Sequence, residues 1–317
     1  MDFRTLLVAL AALVFSTSGC ARLASTRAAT LMIRAPNKVD PGAMWTNLRP
    51  LSPPADPGDQ RFWVEVGPPR ASLLVSTIEP KRADGSRPVG TILLLHGAYG
   101  RSEDMLNTAN TFRASGYRAV LVDMRGHGRS TGERITYGVQ ESKDLSQVID
   151  LLERRHLVEG KVGVYGFSFG GATAIDLAAL DPRVGAVVAI APFSSLRDAA
   201  GHIIRTKIPG AELFVTEHWI DRTIQEASRQ GEFDWQAADT VAAIQRTEAR
   251  VLLVHGDADR FVEPYHSVRL NQAAGARSRI VLVPGAGHDD LATDDQGAVA
   301  RLALSWFNRW IATEPDA

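Results

Sequence analysis

The chain has 317 residues, of which 45% are hydrophobic and 22% are charged, and its formal net charge is −1. These values are ordinary for a globular protein. The dispersed, nearly balanced charge argues against electrostatic binding of nucleic acid or of an anionic membrane surface. A single cysteine, Cys20, excludes an internal disulfide and a cysteine-based metal site. The length allows one large α/β domain or two small ones.

Residues 1–20 have the pattern of an export signal. The apolar run 6–15 is too short to cross a bilayer, which takes about 20 residues, but it suits the apolar core of a secretory signal. Small residues follow and end at Gly19-Cys20, so the segment resembles a bacterial lipoprotein signal, in which the cysteine is lipidated. The alternatives are a plain cleaved signal and an uncleaved start. The expected location is the cell envelope, lipid-anchored through Cys20 on the periplasmic side, or otherwise the periplasm or the medium.

Residues 21–60 are predicted to form a proline-rich tether, because they lack hydrophobic periodicity and are interrupted by prolines. The folded domain is then expected over 61–317. In that part, short apolar runs predict strands over 62–66, 73–78, 91–95, 118–122, 161–165, 184–190, 250–254 and 279–283. Helical patterns cover 102–115, 137–156, 172–180 and 297–312.

Nearly continuous apolar strands that alternate with helices predict an α/β fold with a doubly wound, mostly parallel sheet. The strand rhythm stops over 193–248, where helical patterns cover 195–208, 211–230 and 236–247. This insertion is interpreted as a small helical cap above the strand ends, and the alternative is a set of ordinary crossover helices.

The segment Gly166-Phe167-Ser168-Phe169-Gly170 lies between a predicted strand and a predicted helix. A serine between two glycines at such a junction is typical of a nucleophile elbow, where the turn is too sharp for a Cβ two residues away on either side. Ser168 is therefore the candidate nucleophile. The alternative is a glycine-rich turn with a capping serine.

A serine hydroxyl needs a neighbouring base, and the candidate is His288 in the loop after the last strand. The base in turn needs a carboxylate to orient it. The loop after the preceding strand contains Asp257 and Asp259, and by residue type either carboxylate suits the role.

Residues 255–264 read His-Gly-Asp-Ala-Asp-Arg-Phe-Val-Glu-Pro. They resemble the H-G-x-x-D-x-x-V-x-P acid loop of the α/β-hydrolase fold family of serine hydrolases, in its esterase and prolyl-oligopeptidase-like branch. The resemblance covers about residues 70–312 and implies the triad Ser168, Asp259 and His288, in the chain order of that fold.

The same resemblance implies an oxyanion hole formed by backbone N–H groups. One donor is Phe169, directly after the nucleophile, and the other is Ala98 in the loop His96-Gly97-Ala98-Tyr99-Gly100 after an early strand. Tyr99 is the alternative second donor. Tyr99 and Phe167 are assigned to the substrate pocket.

Other glycine and histidine patterns have simpler interpretations. Residues 126–132 resemble a dinucleotide fingerprint only faintly, since the third glycine is displaced and no helix pattern opens there. Histidines at four strand ends suggest a metal site, but no carboxylate cluster accompanies them. The sequence thus predicts neither a cofactor nor a metal.

The predicted function is cleavage of a carboxylic ester in a small acyl substrate, by way of an acyl-enzyme. The short cap and the lack of a propeller-like extra domain favour an esterase. One alternative is a serine peptidase or amidase of prolyl-oligopeptidase-like type, and another is a non-catalytic binding protein on the same fold. No nucleic-acid partner is expected, and the only expected contact with a membrane is through a lipid on Cys20.

Overall fold

The structure is a computed structural model that describes residues 18–38, 59–81, 87–207, 215–293 and 297–313. Within these ranges, eight strands form one sheet. They are β1 (Gln60–Val66), β2 (Ala71–Ile78), β3 (Thr91–Leu95), β4 (Arg118–Val122), β5 (Val162–Phe167), β6 (Val184–Ile190), β7 (Arg250–Gly256) and β8 (Ser278–Val283). Their spatial order is β1-β2-β4-β3-β5-β6-β7-β8. Strand β2 runs antiparallel to both of its neighbours and all other neighbours are parallel, so the predicted mostly parallel sheet is confirmed.

In the described ranges, ten α-helices precede, connect or follow these strands. They are α1 (Ser18–Ile33), α2 (Leu106–Ala114), α3 (Val139–Arg154), α4 (Phe169–Leu180), α5 (Leu196–Lys207), α6 (Glu217–Gly231), α7 (Thr240–Arg246), α8 (Tyr265–Ala274), α9 (His288–Thr293) and α10 (Ala298–Trp310). Helices α1, α8 and α9 were not among the predicted helices. None of the described helices combines the length and the apolarity that crossing a membrane requires.

The two faces of the sheet bury different hydrophobic cores, because successive side chains of a strand point to opposite faces. On β4, Val120 and Val122 join the core beneath α3 and α4, whereas Ala119 and Leu121 join the core beneath α2 and α10. Helices therefore cover both faces, as the doubly wound prediction requires. The carboxyl ends of the parallel strands share one edge of the sheet, which is where such folds bind ligands.

Helix α1 corrects the predicted tether for residues 21–33. Its buried Ala28, Ala29 and Ile33 pack against α6, where they meet side chains such as Ile224 and Ala227. Alanine has the highest helix propensity, and its small side chain lets two helices approach closely. The prolines that follow from Pro36 onward interrupt the helical pattern only after this alanine-rich stretch.

The chain after α1 is bound to the loop that follows β4. The Asn37 side chain donates hydrogen bonds to the carbonyl oxygens of Gly128 and Ser130, at 3.2 and 2.8 Å. The N–H of Ala35 donates to the carbonyl of Glu133. Residues 34–38 are therefore part of the folded body. The remaining tether residues 39–58 and most of the predicted signal, residues 1–17, lie outside the described residues.

The segment predicted as a cap contains two kinds of helix. Helix α7 places Ala243 and Ile244 in the core beneath α4, as an ordinary crossover helix does. Helix α6 instead places Trp219 and Ile220 in a separate apolar cluster, which also includes Tyr137 and is completed by α1. The distinctive part of the insertion is therefore α6.

The packing of α1 on α6 predicts an effect on stability. Ala29→Asp should lower the free energy of unfolding by about 2–4 kcal/mol, because it places an unpaired carboxylate in the buried contact. Thr26→Asp is the matched control, since Thr26 lies on the exposed side of the same helix. Urea unfolding would measure both, and equal effects would contradict the docking of α1.

Candidate active site

Ser168 occupies a sharp turn between β5 and α4. Its φ of +52° is unusual for a residue with a side chain, and strain of this kind is typical of a nucleophile elbow. A Cβ built on Gly166 would lie 2.2 Å from the carbonyl oxygen of Gly170. A Cβ on Gly170 would lie 2.4 Å from the carbonyl oxygen of Leu95. The flanking glycines are therefore required by the packing, as the sequence pattern predicts.

His288 is the first residue of α9, and its ring reaches across the sheet edge to Ser168. Its Nε2 lies 3.1 Å from the Ser168 Oγ, which is within hydrogen-bonding distance. Phe167 and Phe261 flank the imidazole, with ring centroids 4.9 and 5.0 Å away. These two ring contacts restrict the orientation of the imidazole.

Asp259 completes the chain of hydrogen bonds. Its Oδ2 accepts from His288 Nδ1 at 2.6 Å, and its Oδ1 accepts from the N–H groups of Phe261 and Val262 at 2.8 and 2.9 Å. Asp257 instead accepts from the N–H of Gly285 at 2.7 Å. Of the two carboxylates that suit the role by residue type, the structure thus brings Asp259 to His288, the one that the resemblance implies.

The pKa of Asp259 is lowered despite its burial. Burial alone would raise the pKa of this carboxyl, but hydrogen bonds from His255 and His288 and from the N–H of Val262 stabilise the ionised form. Behind the carboxylate, His255 Nε2 lies 2.8 Å from the carbonyl oxygen of Val262 and 3.4 Å from Asp259 Oδ2. His255 Nδ1 lies 2.6 Å from the Ser267 hydroxyl.

The lowered pKa of Asp259 predicts a pH-dependent stability. In the unfolded chain an aspartate has a pKa of about 3.9. Because the folded value is lower, the ionised carboxylate stabilises the folded state above about pH 4. This contribution is lost as the pH falls through the folded pKa. The difference in unfolding free energy between wild type and Asp259→Asn should therefore be smaller at pH 3 than at pH 6. A difference independent of pH would contradict the assigned shift.

The predicted oxyanion loop lies directly against the elbow. Phe169 is the first residue of α4, so its N–H has no acceptor within the helix. A Cβ built on Gly170 would lie 2.6 Å from the carbonyl oxygen of His96, which shows how closely the loop after β3 packs on the start of α4. Ala98 lies in that loop. The assignment of Phe169 and Ala98 as oxyanion donors stays a prediction.

The two residues assigned to the substrate pocket lie in different surroundings. Phe167 packs against the His288 ring and leaves no space for a side chain at Gly97, where a built Cβ would lie 2.9 Å from the Phe167 ring. Tyr99 is 39% exposed and has a φ of +63°. Their contact with a substrate stays a prediction. Cys20, the predicted lipidation site, lies in α1.

The loop that follows β4 is held by buried polar contacts. Asp123 accepts hydrogen bonds from the N–H groups of Ser102 and Arg129, and Arg125 forms a buried ion pair with Asp144 at 2.7 Å. These contacts give the 123–132 loop a structural role. In the ranges that the structure describes, no group of three or more histidine, cysteine or acidic side chains is placed to hold a metal ion.

Comparison with solved structures supports the same architecture. The Pyrococcus furiosus esterase Pf2001 superposes with a TM-score of 0.60 at 19% identity, over 83% of this chain and 99% of that one. The chain therefore has the α/β-hydrolase fold. A puromycin-hydrolyzing peptidase from Mycobacterium tuberculosis shares this hydrolase fold, with a TM-score of 0.61 and 17% identity over 82% of this chain and 40% of its own.

Sequence comparisons match one peptidase family and two further bacterial proteins. The pattern of the X-Pro dipeptidyl-peptidase (S15) family matches residues 71–216. The Bacillus subtilis (strain 168) protein YqkD is 25% identical over 190 residues, which are 57% of this chain and 58% of that protein. The Escherichia coli (strain K12) protein YfhR is 26% identical over 222 residues, or 69% of this chain and 70% of that protein. Together, the family match and the fold support a hydrolase.

Two buried histidines beside the site, His255 and His96, were not among the predicted site residues. His255 lies behind Asp259, and His96 lies beneath the loop that carries Ala98. In the sequence they were weighed only as possible metal ligands. A signal for both was present in the sequence. Each histidine directly follows the apolar part of a strand and precedes a glycine, and this position indicates a buried ring at the end of the strand, beside the site.

Proposed function

We propose that this protein is a serine hydrolase that cleaves a carboxylic ester by way of an acyl-enzyme. The observation that carries the proposal is the continuous set of hydrogen bonds from Ser168 through His288 to Asp259. Ester cleavage needs a nucleophile, a base that accepts its proton and a group that stabilises the charged base, in this spatial order.

In the first half of the reaction, the Ser168 Oγ attacks the ester carbonyl carbon while its proton moves to His288 Nε2. The carbonyl oxygen becomes an oxyanion, which accepts hydrogen bonds from the N–H groups of Phe169 and Ala98. Collapse of this intermediate breaks the bond to the leaving group, and the departing alcohol takes the proton from Nε2. Asp259 stays ionised throughout and stabilises the imidazolium.

In the second half, water replaces the alcohol. His288 accepts a proton from the water as its oxygen attacks the acyl carbon, and the same proton then returns to the Ser168 oxygen as the acyl–enzyme bond breaks. The carboxylic acid leaves and the free enzyme is restored. No step in this sequence requires a group other than the triad and the two N–H donors.

The second candidate function is cleavage of a peptide or amide bond. It is favoured by the match to the X-Pro dipeptidyl-peptidase family over 71–216 and by the fold shared with the puromycin-hydrolyzing peptidase. The esterase reading is favoured by the resemblance to the Pyrococcus esterase, which extends over 99% of that protein compared with 40% of the peptidase. The same triad serves both reactions, so substrates must separate them.

A substrate panel tests the choice. Purified protein would be offered p-nitrophenyl esters of increasing acyl length alongside aminoacyl and prolyl p-nitroanilides, and the absorbance of the released p-nitrophenolate or p-nitroaniline would be measured. We expect turnover of the short-chain esters. Turnover of the anilides without turnover of any ester would replace the esterase proposal by the peptidase one.

A non-catalytic binding protein on the same fold is the third candidate. A fluorophosphonate probe separates it from both enzymes, because the probe forms a covalent bond only with an activated serine. Labelling of the wild type that is lost in Ser168→Ala supports a serine hydrolase. A wild-type protein that stays unlabelled would favour a binding role.

The proposal extends to location. A lipid on Cys20 would anchor the hydrolase in the cell envelope, facing the periplasm, and its partner would be a small acyl substrate rather than a nucleic acid. Incorporation of radiolabelled palmitate in the native host, lost in Cys20→Ala, would support the anchor. Labelled palmitate that remains in Cys20→Ala, or never enters the wild type, would contradict it.

A further inference from the structure

His96 lies directly after β3 and is completely buried. Its Nε2 accepts a hydrogen bond from the N–H of Met124 at 3.1 Å, and its Nδ1 lies 2.8 Å from the carbonyl oxygen of Gly97. Because Nε2 faces a donor, the ring proton must be on Nδ1, which then donates to Gly97. Burial lowers the pKa of His96, so the ring keeps this neutral form.

The carbonyl oxygen of Gly97 accepts two hydrogen bonds. One comes from His96 Nδ1, and the other comes from the N–H of Gly100 at 3.0 Å, which closes a turn over residues 97–100. Tyr99 is the third residue of this turn, and its φ of +63° is of the kind that a type II turn requires. Two donors on one oxygen leave the carbonyl little freedom to rotate.

The same peptide unit carries the N–H of Ala98. A trans peptide is planar, and its N–H points opposite to its C=O. Any contact that fixes the Gly97 carbonyl therefore fixes the direction of the Ala98 N–H as well. That N–H leaves the turn on the side away from His96 and Gly100.

We propose that His96 is a positioning residue, which aims the Ala98 N–H at the oxyanion by holding the carbonyl of the same peptide. The inference rests on the proposed function, since it assigns the device that orients one of the two oxyanion donors. It concerns the loop alone and does not depend on whether the substrate is an ester or an amide.

A second buried histidine, His127, lies beside the rings of both His96 and Phe169. The His127 ring lies 4.8 Å from the His96 ring and 5.5 Å from the Phe169 ring, measured between centroids. Its Nδ1 lies 2.8 Å from the carbonyl oxygen of Arg125, and burial lowers its pKa to about 3. His127 thus packs as a neutral ring between His96, which holds the Ala98 peptide, and Phe169, which carries the other N–H.

Two variants of His96 separate positioning from space filling. The amide nitrogen of an asparagine is two bonds from Cβ, as Nδ1 is, so His96→Asn keeps a donor for Gly97 and loses the acceptor for Met124. The amide oxygen of a glutamine is three bonds from Cβ, as Nε2 is, so His96→Gln keeps the acceptor and loses the donor. Each variant loses one of the two hydrogen bonds, so their thermal stabilities should be similar.

The measurements are kcat and KM on the best substrate of the panel, and the rate of fluorophosphonate labelling. His96→Gln should lower kcat and the labelling rate by about 10²-fold, approaching the loss of a whole oxyanion donor, with KM changed less than about threefold. His96→Asn should keep both rates within about tenfold of the wild type.

Each outcome has one meaning. Equal kcat in the two variants, a slower His96→Asn, or losses that follow thermal stability would overturn the positioning role and leave the proposed function intact. A wild-type protein that neither turns over the panel nor labels would overturn the proposed function, and the inference with it.

Discussion

Ser168→Ala is expected to lower kcat for ester hydrolysis by about 10⁶-fold, to the rate that substrate binding and the oxyanion hole alone sustain. The loss is large because the serine oxygen forms the covalent bond on which both half-reactions depend. The Ser168–His288 contact of 3.1 Å positions that oxygen for proton transfer. Steady-state kinetics with p-nitrophenyl esters, together with fluorophosphonate labelling, would measure the effect.

The matched control for this variant is Ser194→Ala. Ser194 is also hydrogen-bonded to a histidine, with its Oγ 2.8 Å from His266 Nδ1, but this serine is fully buried. We expect Ser194→Ala to retain kcat within about tenfold and to label normally, since a solvent-excluded serine meets no substrate. If Ser168→Ala retained more than about a hundredth of the rate, Ser168 would not be the nucleophile.

Asp259→Asn is expected to lower kcat by about 10⁴-fold, the loss typical for this change in a triad. An amide cannot stabilise the imidazolium as a carboxylate does. The NH₂ group of the asparagine can also donate a hydrogen bond to Nδ1 of His288. The ring proton then lies on Nε2, and a protonated Nε2 cannot accept the proton of the serine. The Oδ1 contacts with the N–H groups of Phe261 and Val262 can survive in the variant, so the folded state should persist.

Asp257→Asn provides the matched control two residues away. The Asp257 Oδ1 accepts from the N–H of Gly285, and an asparagine oxygen can accept the same bond. We therefore expect a loss in kcat of less than about tenfold. A larger loss of kcat in Asp257→Asn than in Asp259→Asn would make Asp257 the acid and would contradict the geometry around His288.

The strands were predictable because each is a short apolar run that ends in glycine or polar residues. The predicted bounds 91–95, 118–122 and 184–190 coincide with β3, β4 and β6. Helix α8 was missed for a physical reason. Its buried stripe consists of His266, Leu270 and Ala274 at helical spacing, and the buried polar imidazole conceals the periodicity that marks an amphipathic helix.

The site could be predicted in outline because parallel strands end at one edge of the sheet. Ser168, Asp259 and His288 follow three different strands, so the topology alone brings their loops together. Residue type alone did not choose between Asp257 and Asp259; the resemblance of residues 255–264 to an acid loop implied Asp259, and the side-chain directions in the structure agree with it. The role inferred for His96 depends on the orientation of the Gly97–Ala98 peptide, and no pattern in the sequence predicts that orientation.

Helix α1 changes what an anchor at Cys20 would mean mechanically. If residues 21–60 were a flexible coil, the root-mean-square distance between the lipid and the folded domain would be roughly 35 Å, because the dimensions of a coil grow with the square root of its length. Instead, the cysteine lies in a helix that is packed along α6. Since Ala24, four residues later, is already buried, a lipid at that position would lie within a few residues of the folded body, and it would fix which side of the protein is turned toward the bilayer.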